Sequence, residues 1–443
     1  MDATLERARE LKQDLVDFVL DAEGELAESL EAYTAAQSRR ERFDRTQRNL
    51  LIDTFLTEGQ VGDKTPLELF LESRPDLPAG DRDLVRSWQR SFIGLFAVHQ
   101  KLSDGFELMN WLTAKHYSVK PNNPAAMAEM SRFKRGEILL TRIAPVTDTD
   151  WMFSGPCTLM GNLGKPKLSV AIGNFKRDFK ESLYSDAPEL LEQAWQSVEQ
   201  YHQDFLDFFG NDEVTLPGYQ LNLKLNQFQE KITQERLTAA GIDSSKSLAE
   251  VAEAAGMEAA EMKTAAEEAG ADAKTVAQLL EHKGPIKMVM PKVELPAELK
   301  KAEQVTALTH PRWGQMFLPT YNQFKILLTA KDWQSVEGAE KLVRHYLEDS
   351  NINAFIWQRL AQNYPAPLES VLQTVLERSD FQLEQDLNGL MQEFNKPLEP
   401  ELPEIASVPL HLHNLFQEAL AEVSKSKSKN KSKKKTVGGF GGR

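Results

Sequence analysis

The sequence predicts an α+β protein, mostly helical and multidomain, with one small SH3- or OB-like β-barrel near residues 91–173. Three observations carry that expectation. Apolar residues recur at three- and four-residue steps over 4–57, 175–235 and 298–423, the mark of amphipathic helices. Five short apolar runs separated by turn residues follow Ser91, as a small barrel requires. The length, 443 residues, suits two to four domains.

Taken in order, the chain opens with a helical region over 1–85, where Leu11, Leu15, Phe18, Val19, Leu26 and Leu30 form one face and Gly24 interrupts it. A barrel domain is expected over 86–174. SFIGLFAVHQKL and FELMNWLT flank Ser103-Asp104-Gly105, whose Asp and Gly tolerate positive φ in a hairpin turn. HYSVKP, RGEILLTRIAP and DWMFSGPCTLMG complete five strands. A second helical region spans 175–235, its stripe running from Leu191 to Phe208 and stopping at Gly210. An Ala-rich three-helix repeat is expected at 236–284, with Gly241, Gly256 and Gly270 as C-caps. A Pro-rich linker, 285–300, leads to a helical domain over 301–423. A basic tail, 424–443, is expected to be disordered, since Ser/Lys alternation buries no apolar area.

Net charge is −14, but seven Lys and one Arg give the tail +8, leaving −22 elsewhere. An acidic body repels phosphate backbones outside local basic patches. The single cysteine, Cys157, excludes an internal disulfide and a Cys-based zinc site. The charged opening residues are unlike a secretory signal, and no apolar run approaches the ~18–20 residues of a membrane span. These features predict a cytoplasmic protein.

No catalytic motif stands out. GNLGKPK lacks the spacing and the Ser/Thr of a phosphate loop, so Lys165 and Lys167 read as solvated turn residues. Asp148 and Asp150 lack the rest of a calcium loop. The Ala-rich repeat has helix-turn-helix spacing, but Glu258, Glu261, Glu267 and Glu268 would face phosphates, so no DNA is expected. The histidines are scattered, and His411 and His413 diverge if they open a helix. No metal, cofactor or catalytic residue is assigned. Within the barrel, Trp111, Lys134, Arg135, Arg142, Trp151 and Phe153 suit either a surface stacking on single-stranded RNA or a core with rim charges, and core is the favoured reading.

Residues 64–155 carry a family likeness. Trp88, Ser91, Gly94, Leu95 and Phe96, then Gly136, Glu137, Ile138, Leu139, Arg142 and Ile143, then Trp151, Phe153, Ser154 and Gly155 resemble a region of bacterial proteins that often carry a SEC-C zinc motif. The SEC-C cysteines are absent, and the resemblance implies no catalytic residue. The whole chain, with HPRWGQMFLPTYNQF and a Lys-rich GGFG ending, is similar to a cyanobacterial protein type.

The expected function is a non-enzymatic intracellular scaffold, assembly or binding protein, whose tail tethers an unidentified protein partner. Lys429, Lys431, Lys433, Lys434 and Lys435 would provide approach and Phe440 the anchor, its flanking glycines letting the backbone enter a tight pocket. The alternative is an RNA- or ribosome-associated factor using barrel and tail together.

Overall fold

The computed structural model describes residues 3–38, 45–123, 130–239 and 288–436. Residues 240–284 of the expected Ala-rich repeat, and Phe440, lie outside them. The described residues form a mostly helical α and β protein with a closed five-strand barrel. They divide into two compact units, one drawn from 3–191 and 409–436, the other from 192–239 and 288–408.

The first unit begins with α1 (Ala3–Leu20), α2 (Glu25–Ser38), α3 (Arg45–Glu58), α4 (Pro66–Ser73) and α5 (Ala79–Ser87). Gly24, at φ +66, separates the first two as expected. Thr65 and Glu68 close a capping box on α4. Hydrogen bonds from Thr65 hold the Glu68 carboxyl below its ordinary range. Leu5, Ala8, Leu11, Leu15 and Val19 pack with Phe55, Leu67, Phe70 and Trp88, and with Ala144 and Met152 of the barrel wall.

The barrel contains β1 (Phe92–Lys101), β2 (Phe106–Asn110), β3 (His116–Lys120), β4 (Ile138–Pro145) and β5 (Asp150–Phe153). The ring order is β1-β2-β3-β5-β4, closed by β1 against β4, and β3 pairs with β5 in parallel. The last expected strand divides in two, and β6 (Thr158–Gly161) lies beside β4. The interior is Phe92, Phe96, Phe106, Leu108, Tyr117, Val119, Leu139, Ile143 and Phe153. The Ser-Asp-Gly turn forms, for a reason other than the expected one. Gly105 has no positive φ; a Cβ there would stand 2.4 Å from the Val119 carbonyl oxygen.

The barrel strands end at Gly161, and α6 (Lys165–Asp178) takes the last ten residues of the stretch assigned to the barrel. Gly164 and Pro166 of GNLGKPK start that helix. Lys165 is not a solvated turn residue: its ammonium is 3.0 Å from Glu418.

The second unit holds most of α7 (Pro188–Phe209), which stops at Gly210, then β7 (Glu213–Leu216) and α8 (Gly218–Ala239). A hairpin of β8 (Val305–His310) and β9 (Gly314–Leu318) joins β7 in an antiparallel sheet, where helix was expected. Helices α9 (Tyr321–Thr329), α10 (Ala339–Glu348), α11 (Ala354–Asn363), α12 (Pro365–Val375) and α13 (Leu383–Glu393) surround Phe324, Tyr346 and Trp357. Arg359 bonds both carboxylate oxygens of Asp212, at 2.6 and 2.9 Å.

Lys396 is 2% exposed, and its Nζ donates to the Asp349 and Ile352 carbonyls at 2.6 and 2.7 Å. Burial pushes its pKa down to about 8 from 10.5. The unfolded chain therefore holds more protons between those values. Stability should rise by about 1.5 kcal/mol from pH 8 to about pH 9.5, before tyrosines titrate. Urea midpoints of this unit measured across that window should show the rise, and Lys396→Met should flatten it.

The closing helix, α14 (Leu410–Thr436), belongs to the first unit. Its backbone carries through residues 424–436, which were expected to be disordered. No Gly or Pro interrupts that stretch, Lys is a good helix former, and a basic end suits the negative pole of a helix.

Candidate functional site

The most polar interior of the first unit gathers around Asp53. Ala8, Leu11, Leu15 and Val19 direct one face of α1 inward, and Lys12 shares that face. From α3, Asp53 meets it, and the Lys12 ammonium is 2.8 Å from Asp53 Oδ1, outside hydrogen-bonding alignment. Ser154 Oγ donates to the same oxygen at 3.0 Å. Arg142, fully buried on β4, places Nε 3.5 Å from Asp53 Oδ2. Its Nη1 bonds Glu58 at 2.6 Å, and its Nη2 bonds Thr57 Oγ1 and the Ser91 carbonyl.

Two cations thus meet two carboxylates, and the cluster is formally neutral. Desolvation lowers the Lys12 pKa, opposed by the Asp53 charge. The Lys12 ammonium also lies 5.6 Å from the Trp88 ring centroid. Gly155 belongs here because a Cβ would stand 3.1 Å from the Asp53 carboxylate. Trp88, Ser91, Arg142, Ser154 and Gly155, all part of the resemblance, therefore surround a residue that was not part of it.

A cleft of about 540 Å³ opens beside Asp53, lined among others by Asn122, Arg132, Ser154, Gly155 and Cys157. Burial pushes the Cys157 thiol up to about 12, so it is protonated and a poor nucleophile at neutral pH. Asp53 itself is held by Lys12, Ser154 and Arg142. The arrangement clamps α1 and α3 to the barrel and offers no nucleophile–base pair among the residues just described.

Of the barrel residues singled out from sequence, Trp111, Arg142 and Phe153 are buried, and Trp151 packs half-buried against Phe92 and Tyr117. The core reading fits Phe153 and Trp151. Burial leaves no exposed ring face at Trp111 or Phe153. Lys134 and Arg135 are exposed, as is Arg132, and Lys101 Nζ bonds the Ser131 carbonyl at the base of their loop.

Asp186 joins the β2–β3 turn to the segment before α7. Its Oδ2 accepts from Asn110 Nδ2, Thr113 Oγ1 and Tyr117 OH at 3.0, 2.8 and 2.6 Å, and Lys115 Nζ reaches its carbonyl. Helix α14 docks on the same unit. Leu412, Leu415 and Ala419 are buried, His411 Nε2 stands 2.7 Å from the Trp111 carbonyl, and Glu418 meets Lys165. Leu420 and Val423 are exposed, and the helix then enters its basic stretch. Lys429, Lys431, Lys433, Lys434 and Lys435 lie in that helix.

Sequence reading also missed His99, Glu107 and His116, which β1, β2 and β3 bring together on the outer barrel face. His116 Nδ1 is 3.1 Å and His99 Nε2 3.9 Å from the two Glu107 oxygens. Desolvation lowers the His99 pKa, which favours the neutral ring. Among the described residues, no helix is long and apolar enough to cross a membrane. No family model, curated protein or solved structure matches the chain.

Proposed function

We propose that the chain is a non-enzymatic binding protein, a scaffold that presents its basic segment to a protein partner on a mounted helix. The observation that carries this reading is α14. Its first turns are fixed to the barrel unit by Leu412, Leu415, Ala419 and His411, and its backbone continues unbroken to Thr436. Thirteen further helical residues beyond Val423 extend about 20 Å at 1.5 Å each. That length replaces the flexible reach expected of a coil. Lysines on such an arm suit an acidic partner surface, and Phe440 would supply the apolar anchor. A pull-down should lose most partner recovery with Phe440→Ala, and again with Lys433, Lys434 and Lys435 changed to Gln. Equal recovery by all three chains would remove the reading.

A second reading, an RNA- or ribosome-associated factor, draws on the exposed Arg132, Lys134 and Arg135. The ring order with its parallel β3–β5 closure favours an OB-type over an SH3-type barrel, and OB barrels bind oligonucleotides. With Trp111 and Phe153 buried, such binding would rest on phosphate contacts and weaken steeply with salt. Purified protein carrying no RNA at low salt would remove this reading. We extend the SEC-C-associated resemblance to the barrel and its flanking helices only; no metal follows from it, since its cysteines are absent.

A further inference from the structure

We infer that His99, Glu107 and His116 form a binding site for a divalent transition metal, with zinc as the natural probe. The inference is independent of the function proposed above.

Strand geometry builds the site. Phe106, Leu108, Tyr117 and Val119 point into the barrel, so alternation turns Glu107 and His116 outward. Met109 pairs with His116 and Glu107 with Ser118, which makes Glu107 and His116 diagonal neighbours. On β1 the register shifts between Val98 and Gln100, leaving His99 in a bulge opposite Glu107. Phe96 and Val98 point into the barrel, so alternation turns His99 to the outer face, and the pairs Ala97–Met109 and Val98–Leu108 carry it to the carboxylate that His116 already touches.

The donor set fits the chemistry. Two imidazoles and one carboxylate bind zinc in sites that keep a position open for water or substrate, and the same set serves other first-row metals. One ligand atom from each residue lies within 4.8 Å of the others. Bonds of about 2.0–2.2 Å place tetrahedral donors about 3.3 Å apart. The His116–Glu107 separation of 3.1 Å is already at that spacing, and the His99–Glu107 separation of 3.9 Å needs only a small side-chain rotation. Side-chain exposures of 17%, 33% and 24% leave the cluster sheltered yet open to an ion.

A hydrogen-bonded Glu107–His116 pair alone would account for two of the three residues and leave the placement of His99 without a role. Two features limit affinity. The other ring nitrogens, His99 Nδ1 and His116 Nε2, are buried without hydrogen-bond partners, so no outer-shell carboxylate or carbonyl orients the rings. Such support is worth about 10–100-fold in metal affinity. Arg135 is near enough to lower the proton affinity of His99, and its charge opposes a cation while the Glu107 charge favours one.

The test uses the full chain, stripped with chelator and titrated with zinc chloride by calorimetry, beside His99→Ala and Glu107→Gln. Far-UV circular dichroism selects folded protein. Wild type should bind one zinc that each variant holds at least about tenfold more weakly. Cobalt(II) should give visible d–d absorption in wild type that both variants lose. Equal zinc affinity in wild type and both folded variants, or no binding by folded wild type, would overturn the inference.

Discussion

Asp53→Asn should destabilise the barrel unit by about 3–5 kcal/mol, the cost of removing one partner from a buried ion cluster. The substitution keeps the shape and removes the charge facing both Lys12 and Arg142. Arg142 would retain Glu58, Thr57 and the Ser91 carbonyl. Lys12 would retain no carboxylate contact and is already disfavoured as a cation by burial. Adding Lys12→Met should therefore recover much of the loss, a non-additivity expected of residues in one network. Hydrogen exchange of the β4 amides reads the stability of this unit directly. A change below about 1 kcal/mol would mean that water, not packing, surrounds the cluster.

Asp186→Ala should cost about 3–4 kcal/mol, because one oxygen serves Asn110, Thr113 and Tyr117 together. Asn110 and Thr113 are 2% and 0% exposed, so they cannot turn to bulk water without opening the turn. Burial and the adjacent carboxylate raise the Tyr117 phenol above its usual range, keeping it a donor. Asp186→Asn keeps one acceptor oxygen and should cost about half as much. Exchange of the β2 and β3 amides should rise in the same order, Ala above Asn above wild type. Indistinguishable rates would show that the turn stands without Asp186.

How far the sequence reveals this structure varies by element. Helices α1 to α3 follow from their apolar spacing and the break at Gly24. The barrel strands follow from short apolar runs, although the split of the last run into β5 and β6 does not. The β8–β9 hairpin was hidden in plain view. Met316 and Leu318 alternate, and Gly314 sits at φ +71, but the run is short and helices surround it. Lys12 left a signal, a charge at the i+4 position from Ala8 on an apolar face. Its partner on α3 did not, because pairing across forty-one positions is a tertiary event. His99, Glu107 and His116 are separated by eight and nine positions, and hairpin register alone could have joined Glu107 to His116. Alternation with Phe96 and Val98 puts His99 on the same outer face; what FAVHQK does not mark is the bulge between Val98 and Gln100.

The central claim is that the basic segment on α14 is the partner-binding element. The most direct measurement compares partner recovery by the full chain and by a chain ending at Val423, which keeps Leu412, Leu415 and Ala419 and hence the docked turns. Quantitative pull-down at physiological salt should recover the partner with the full chain only, while both chains give the same far-UV spectrum per docked residue. Equal recovery by the two chains would contradict the claim.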